Sequence, residues 1–205
     1  GRTFCYARGP MGDAAARRTI DLAGYVALEA ETDQRHEWLD GEVYAMAGGT
    51  IEHGQLAMQV GSELVRLASA CGCRVLSSDV KVRVRATGLV TYPDVSVVCG
   101  PIVRDADLAH AITNPAVLVE VLSDSTERYD RGEKFSHYRH LPSLRDYVLV
   151  SQYKPEIEVY SRDAQGRWLL TVVGPGQSAP LTAMPGALDV DRVYDGVELA
   201  PAPPH

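Results

Sequence analysis

Two spacings of apolar residues alternate along the chain. Residues 51–69 carry Leu56, Val60, Leu64 and Leu67 three and four positions apart, which makes one apolar stripe on a helix that Gly72 stops. Residues 74–85 switch to a period of two. Val80, Val82 and Val84 fall on one side and Asp79, Lys81, Arg83 and Arg85 on the other, the pattern of a half-exposed strand. Residues 90–98 and 116–122 are rich in Val and Leu, as in central strands. A second long helix is predicted over 125–140, with Asp124 and Glu127 as a capping box, Phe135, Tyr138 and Leu141 on its buried side, and Pro142 ending it.

Shorter elements complete the order. A helix from Asp21 to Glu31 has Asp21 as its cap, and Asp40-Gly41 is a turn into a strand over Glu42–Ala47, with Glu37–Leu39 on the partner strand. Strands are predicted at 146–151, 156–161 and 167–173, with a turn at Asp163–Gly166. This order predicts a single α/β (α+β) domain over 19–198, a central mixed sheet with one long helix on each side. Residues 1–18 read as a small, basic, aperiodic extension outside the fold, with Met11 a candidate start, and 199–205 as a flexible tail.

Against the apolar central strands, two acidic residues stand out. Asp94 opens a strand directly after Pro93, and Glu120 sits in the middle of Val117–Leu122. Burying a lone carboxylate costs several kcal/mol unless it is paired or metal-bound. The plain alternatives are a structural pairing of Glu120 with a core Arg or Lys, and a turn role for Pro93-Asp94. Lys134, in the following helix, also has a plain partner four residues earlier in Asp130. One shared site accounts for all three at once. Phosphodiester hydrolysis needs a divalent cation that binds a phosphate oxygen and lowers the pKa of an attacking water. Mg²⁺ takes a few carboxylates with carbonyl and water oxygens, and Mn²⁺ substitutes for it. Asp94, Glu120 and the main-chain carbonyl of Val121 can supply such a half-shell, with Lys134 orienting the nucleophile.

Composition changes this picture in two ways. The formal net charge of −7 opposes a nucleic-acid partner, which usually meets a basic face. Metal-binding carboxylates account for part of it, and Lys81, Arg83 and Arg85, or Arg128, Arg131, Lys134 and Arg139, can still form local basic clusters. The four cysteines, Cys5, Cys71, Cys73 and Cys99, lack zinc-site spacing and read as reduced thiols without a role in a cytoplasmic protein. No run of about 18 apolar residues is present, and the N-terminus lacks a secretory layout, so neither a membrane span nor secretion is expected.

The strings RHEWLDGEVYAMAGGTIEHG, SSDVKV, YPDVSVVC, VLVEVLSDSTERYDRGEKFSHYR and SLRDYVLV resemble the Uma2 family, also called DUF820, of restriction-endonuclease-like proteins related to the PD-(D/E)XK nucleases. The resemblance runs from about residue 20 to 195 and is most specific from Glu120 to Lys134. It implies a restriction-endonuclease-like core in which Asp94 is the PD aspartate and Glu120 the acidic residue of (D/E)XK. Leu122 stands where the superfamily has lysine, and Lys134 is the matching lysine, moved to the helix. The resemblance adds Glu42 as a further candidate metal contact, with an exposed strand-start residue as its plain reading. His53 and Asp79 are also candidates. Capping or packing is the simpler account of His53, and a cross-strand charge pair that of Asp79.

The expected function is therefore a Mg²⁺-dependent endonuclease that cleaves duplex DNA through in-line attack of metal-activated water, acting as a homodimer because two strands need two sites. One alternative is a catalytically inactive nuclease fold kept for nucleic-acid binding or as a scaffold, motivated by the −7 charge and Leu122. A third reading is hydrolysis of RNA or a small phosphodiester.

Overall fold

In the computed structural model, which describes residues 19–46 and 48–201, the chain forms a six-stranded sheet, a five-stranded sheet and a small two-stranded sheet. The predicted extension over 1–18, residues 202–205 of the predicted tail, and Ala47 lie outside the described residues. Helix α1 (Leu22–Glu31) starts as predicted, with Asp21 accepting a 2.8 Å hydrogen bond from Gly24 N–H. The hairpin follows: β1 (His36–Leu39) pairs with β2 (Glu42–Ala45) through Asp40 and Gly41, both at positive φ. Helix α2 (Ile51–Ala68) is capped by Thr50 and buries Leu56, Val60, Leu64 and Leu67.

The alternating run over 74–85 is two strands, not one. β3 (Arg74–Ser77) and β4 (Lys81–Val84) belong to different sheets, separated by a turn that Val80 N–H closes on the Ser77 carbonyl. Period-two alternation continues across such a turn, so the pattern alone does not reveal it. Residues 90–98 divide in the same way into β5 (Leu89–Thr91) and β6 (Val95–Val98), again in different sheets. Pro93 has no N–H to give a ladder, and the chain leaves one sheet and enters the other across Tyr92–Asp94.

After β7 (Ala111–Ile112) comes β8 (Val117–Leu122), buried along its whole length. The second helix is irregular: an α turn α3 (Glu127–Tyr129), a π-helical turn (Asp130–Lys134) and α4 (Phe135–Tyr138). The predicted capping box is absent. Thr126 holds the cap position without a side-chain capping bond, and the Ser123 carbonyl takes the Glu127 N–H. The rest comprises β9 (Asp146–Ser151), β10 (Ile157–Arg162), β11 (Trp168–Val173), β12 (Ser178–Pro180), β13 (Ala187–Asp189) and α5 (Val190–Val193).

A six-stranded sheet in the order β11-β10-β9-β8-β6-β3 forms the centre, with β8 and β9 parallel and its other pairs antiparallel. Its two faces bury different residues of the same strands. Val117, Val119 and Val121 pack under α2, whereas Leu118 and Leu122 pack with Phe135, Tyr138, Tyr147 and Leu149. One helix therefore covers each face, as the pattern predicts. The second sheet, β2-β1-β5-β4-β7, carries the hairpin.

The cysteine expectation needs correction. The pairing of Arg74 with Val98 sets Cys73 opposite Cys99, and a disulfide joins them with Cα atoms 4.2 Å apart. Cross-strand partners 26 residues apart carry no local signature, so spacing could not reveal the bond. Cys71 is the free cysteine among the described residues, with its sulfur 3.2 Å from that of Cys73.

Packing beneath α2 makes a specific prediction. Gly186 has φ +111°, and a Cβ there would lie 2.6 Å from Leu67 Cδ2. Gly176 shares the positive φ, at +74°, but faces open space. Gly186→Ala should destabilise by about 2–3 kcal/mol and Gly176→Ala by about 1 kcal/mol. Thermal melts followed by circular dichroism check the contrast; equal losses would remove any part for the Leu67 contact.

Candidate active site

The switch between sheets sets where the polar residues gather. β6 pairs with β8 so that Val95 faces Val119, and one step further Asp94 comes opposite Glu120. On the other side of the switch, β5 pairs with β1 with Val90 opposite Trp38, which brings Thr91 beside Glu37. The Thr91 hydroxyl donates to Glu37 Oε1. Within β8, Glu120 shares the face of Leu118 and Leu122 and so points at the irregular helix.

That helix answers with a stripe of three residues four apart. Lys134 Nζ lies 3.0 Å from Glu120 Oε1, 3.1 Å from Glu37 Oε1 and 3.4 Å from Asp130 Oδ1. Tyr138 donates a 2.7 Å hydrogen bond to the same Glu120 oxygen. In a regular α-helix, residues four apart drift around the axis by roughly 40°. The wider π turn offsets that drift between Asp130 and Lys134, so the three side chains stay over Glu120. Tyr147 holds the turn by donating to the Asp130 carbonyl at 3.0 Å.

Asp94 lies beside this cluster in contact with α2. Its Oδ2 accepts a 2.7 Å hydrogen bond from Val121 N–H and lies 3.3 Å from His53 Nε2. Thr50 caps α2 and so fixes the turn that carries His53. The Thr50 hydroxyl donates to the buried Gln152 side chain at 3.1 Å, at the end of β9.

Three carboxylates surround one ammonium, and all four side chains are at most 13% exposed. Burial pushes the Glu120 carboxyl well above its ordinary range, and Asp130 and Asp94 add to the rise against Lys134 and Tyr138. Burial likewise raises Asp130. Burial opposes the charge on Lys134, but Glu120 and Glu37 outweigh it and hold its pKa well above the usual lysine value. A hydrogen bond to Asp94 raises His53 despite its burial. The cluster sets three carboxyl groups against one lysine.

This excess of carboxyl groups suits a cation, and so do the free positions. Lys134 and Tyr138 both engage Glu120 Oε1, while Val121 and His53 both engage Asp94 Oδ2. The second oxygen of each carboxylate takes no hydrogen bond or ion pair among the described residues. No three His, Cys, Asp or Glu side chains form a ready-made cage among the described residues, so a cation here would rely on two carboxylates, the Val121 carbonyl and water.

The structure brings Asp94, Glu120, Val121, Lys134 and His53 together. It puts Glu42 on edge strand β2, where the Tyr44 hydroxyl donates to it. Asp79 lies in the β3–β4 turn, paired with Arg35 and bonded by Ser77 Oγ, not with its strand neighbours. Those neighbours do not form a free basic face either. Lys81 pairs with Glu29, and Arg83 and Arg85 pair with Asp105 and Asp107. Arg131 pairs with Glu127 and Glu158, and Lys134 is buried. Glu37 and Tyr138 are the additions that sequence reasoning lacked. The Asp130 spacing was visible, but it read as a surface pair. Glu37 has no local signal, because its partner Lys134 lies on the irregular helix, far along the chain.

Removing the ammonium should cost stability in a pH-dependent way. Lys134→Met leaves three carboxylates facing one another and should destabilise by about 3–5 kcal/mol at neutral pH. Carboxylates whose pKa is raised by folding lose stability as pH rises through that range, because the folded state binds the extra protons. The deficit relative to the wild type should therefore shrink as pH falls from about 8 to 5. Urea denaturation at several pH values checks this, and a constant deficit would contradict the charge account.

Comparison with known proteins places the chain. A family model described as "Putative restriction endonuclease", Uma2, matches residues 22–191. The chain is 37% identical over 173 residues to the uncharacterized protein slr1290 of Synechocystis sp., covering 84% of this chain and 90% of that protein. It is 28% identical over 157 residues to sll1609 of the same organism, covering 77% and 89%. The crystal structure of a protein from Anabaena variabilis, titled as a putative nuclease belonging to DUF820, superposes with a TM-score of 0.66 at 15% identity, covering 82% of this chain and 93% of that one. That likeness shows a shared fold. The match over residues 22–191, with the close Synechocystis relative, shows that this chain belongs to the Uma2 family of restriction-endonuclease-like proteins.

Proposed function

We propose that this protein is a metal-dependent endonuclease that hydrolyses DNA phosphodiester bonds, with Asp94, Glu120 and Lys134 at its centre. The observation that carries this reading is the free second oxygen on each of Asp94 and Glu120, which the strand register sets opposite one another, beside a buried ammonium. Asp94, Glu120 and the Val121 carbonyl would hold Mg²⁺ or Mn²⁺. Such an ion supplies a Lewis acid and lowers the pKa of bound water. Lys134, fixed by its carboxylates, is positioned to donate to the nucleophile or to a phosphate oxygen as charge develops there. His53 orients Asp94 through Oδ2 and leaves Oδ1 open. The domain would span 19–198 and act on duplex DNA as a homodimer, in the cytoplasm. The cysteines give no support to that location, since Cys73 and Cys99 are joined. Glu42 and Asp79 are not part of the proposed centre.

A second reading treats the cluster as a structural ion network in an inactive nuclease fold that binds or scaffolds nucleic acid. The saturation of Lys134 by three carboxylates and the pairing of Lys81, Arg83, Arg85 and Arg131 with acids favour it.

Supercoiled plasmid separates the two readings. With Mg²⁺ or Mn²⁺ the wild type should nick or linearise it, and Asp94→Ala and Glu120→Ala should each lose about 100-fold or more of that rate. Equal cutting by wild type and variants would point to a contaminant. No cutting, together with no Mn²⁺ binding by calorimetry, would favour the inactive reading.

A further inference from the structure

Glu120 is asked to serve two cations. Its Oε1 already binds Lys134, and the proposed metal would sit on the same carboxylate. A divalent ion must therefore compete with the ammonium, unless that charge is balanced elsewhere. The structure supplies the balance. Lys134 touches Glu37 at 3.1 Å and Asp130 at 3.4 Å, both on oxygens apart from Glu120. Glu37 belongs to another sheet, and the buried hydroxyl of Thr91 holds its Oε1, the same oxygen that meets Lys134. A carboxylate with only a structural part in its own strand would not need to be aimed across the sheet junction.

We propose that Glu37 is a positioning residue, with Asp130 as its helper. It holds the Lys134 ammonium in place, so that Glu120 can give up part of its bond to lysine and take a divalent cation. This rests on the metal reading of the preceding section. Without Glu37, the ammonium falls back on Glu120 and the metal has to displace it. The residue acts through Lys134 and touches neither metal nor substrate.

Mn²⁺ titration by calorimetry tests this without relying on cleavage. Glu37→Gln should weaken Mn²⁺ binding about tenfold or more. Loss of a nearby negative charge would weaken it too, so two charge-conserving variants carry the distinction. Glu37→Asp withdraws the carboxylate by one methylene, and Thr91→Val removes the hydroxyl that aims it. Both should weaken Mn²⁺ binding severalfold while net charge is unchanged. In a Lys134→Met background, where no ammonium competes for Glu120, Glu37→Asp should have no effect. Wild-type affinity in both Glu37→Asp and Thr91→Val would overturn the proposal and leave Glu37 as a distant charge. So would an equal loss with and without Lys134. If Lys134→Met does not fold by circular dichroism, the two charge-conserving variants decide alone. Absence of Mn²⁺ binding by the wild type itself would overturn the metal reading and, with it, this one.

Discussion

An ammonium taken out of water must be repaid by charges that are already in place, and around Lys134 they come from three parts of the chain. Glu37 arrives on the hairpin strand β1, Glu120 on the central strand β8, and Asp130 on the same helix. Desolvating such a group costs several kcal/mol after relaxation, and a single partner seldom offsets it. The arrangement therefore depends on two sheets and an irregular helix meeting at one point. The π turn, the crossing at Pro93 and the cross-strand bond from Thr91 to Glu37 each serve that meeting.

The same geometry separates two kinds of work within one strand. The odd residues of β8 fill the apolar core beneath α2, while Glu120 breaks the opposite face between Leu118 and Leu122. The main chain of that strand also participates, since Val121 N–H binds Asp94. A shift of one residue in the pairing of β6 with β8 would turn Asp94 away from Glu120. The hydrolytic use proposed for this junction draws on membership of the Uma2 family and on the gathering of three carboxyl groups around Lys134.

Much of this was legible along the chain. The stripe of Leu56, Val60, Leu64 and Leu67 gave α2, and the acidic break in Val117–Leu122 marked Glu120, because a charge in a buried run is costly. Lys134 could be linked to it through the spacing that the family resemblance supplied. What stayed hidden depends on partners remote in sequence. The split at Ser78–Val80 and the disulfide of Cys73 with Cys99 follow from the assignment of strands to sheets, which alternation does not encode. Glu37 looked like one more polar residue in a short strand. The pairing of Arg83 and Arg85 with Asp105 and Asp107 was equally invisible, since the acids come from a loop about 20 residues on.

Because Glu37 reaches Lys134 only through the second sheet, that sheet is tied to the central one by charge as well as by the covalent chain. Opening the hairpin of β1 and β2 alone would leave the ammonium short of a counter-charge inside the protein. Local fraying there is thus penalised beyond the loss of its own hydrogen bonds, and the hairpin shares in the cooperative unit of the core. Amide protons in β1 should then owe their protection from solvent exchange to a helix with which they form no backbone pair.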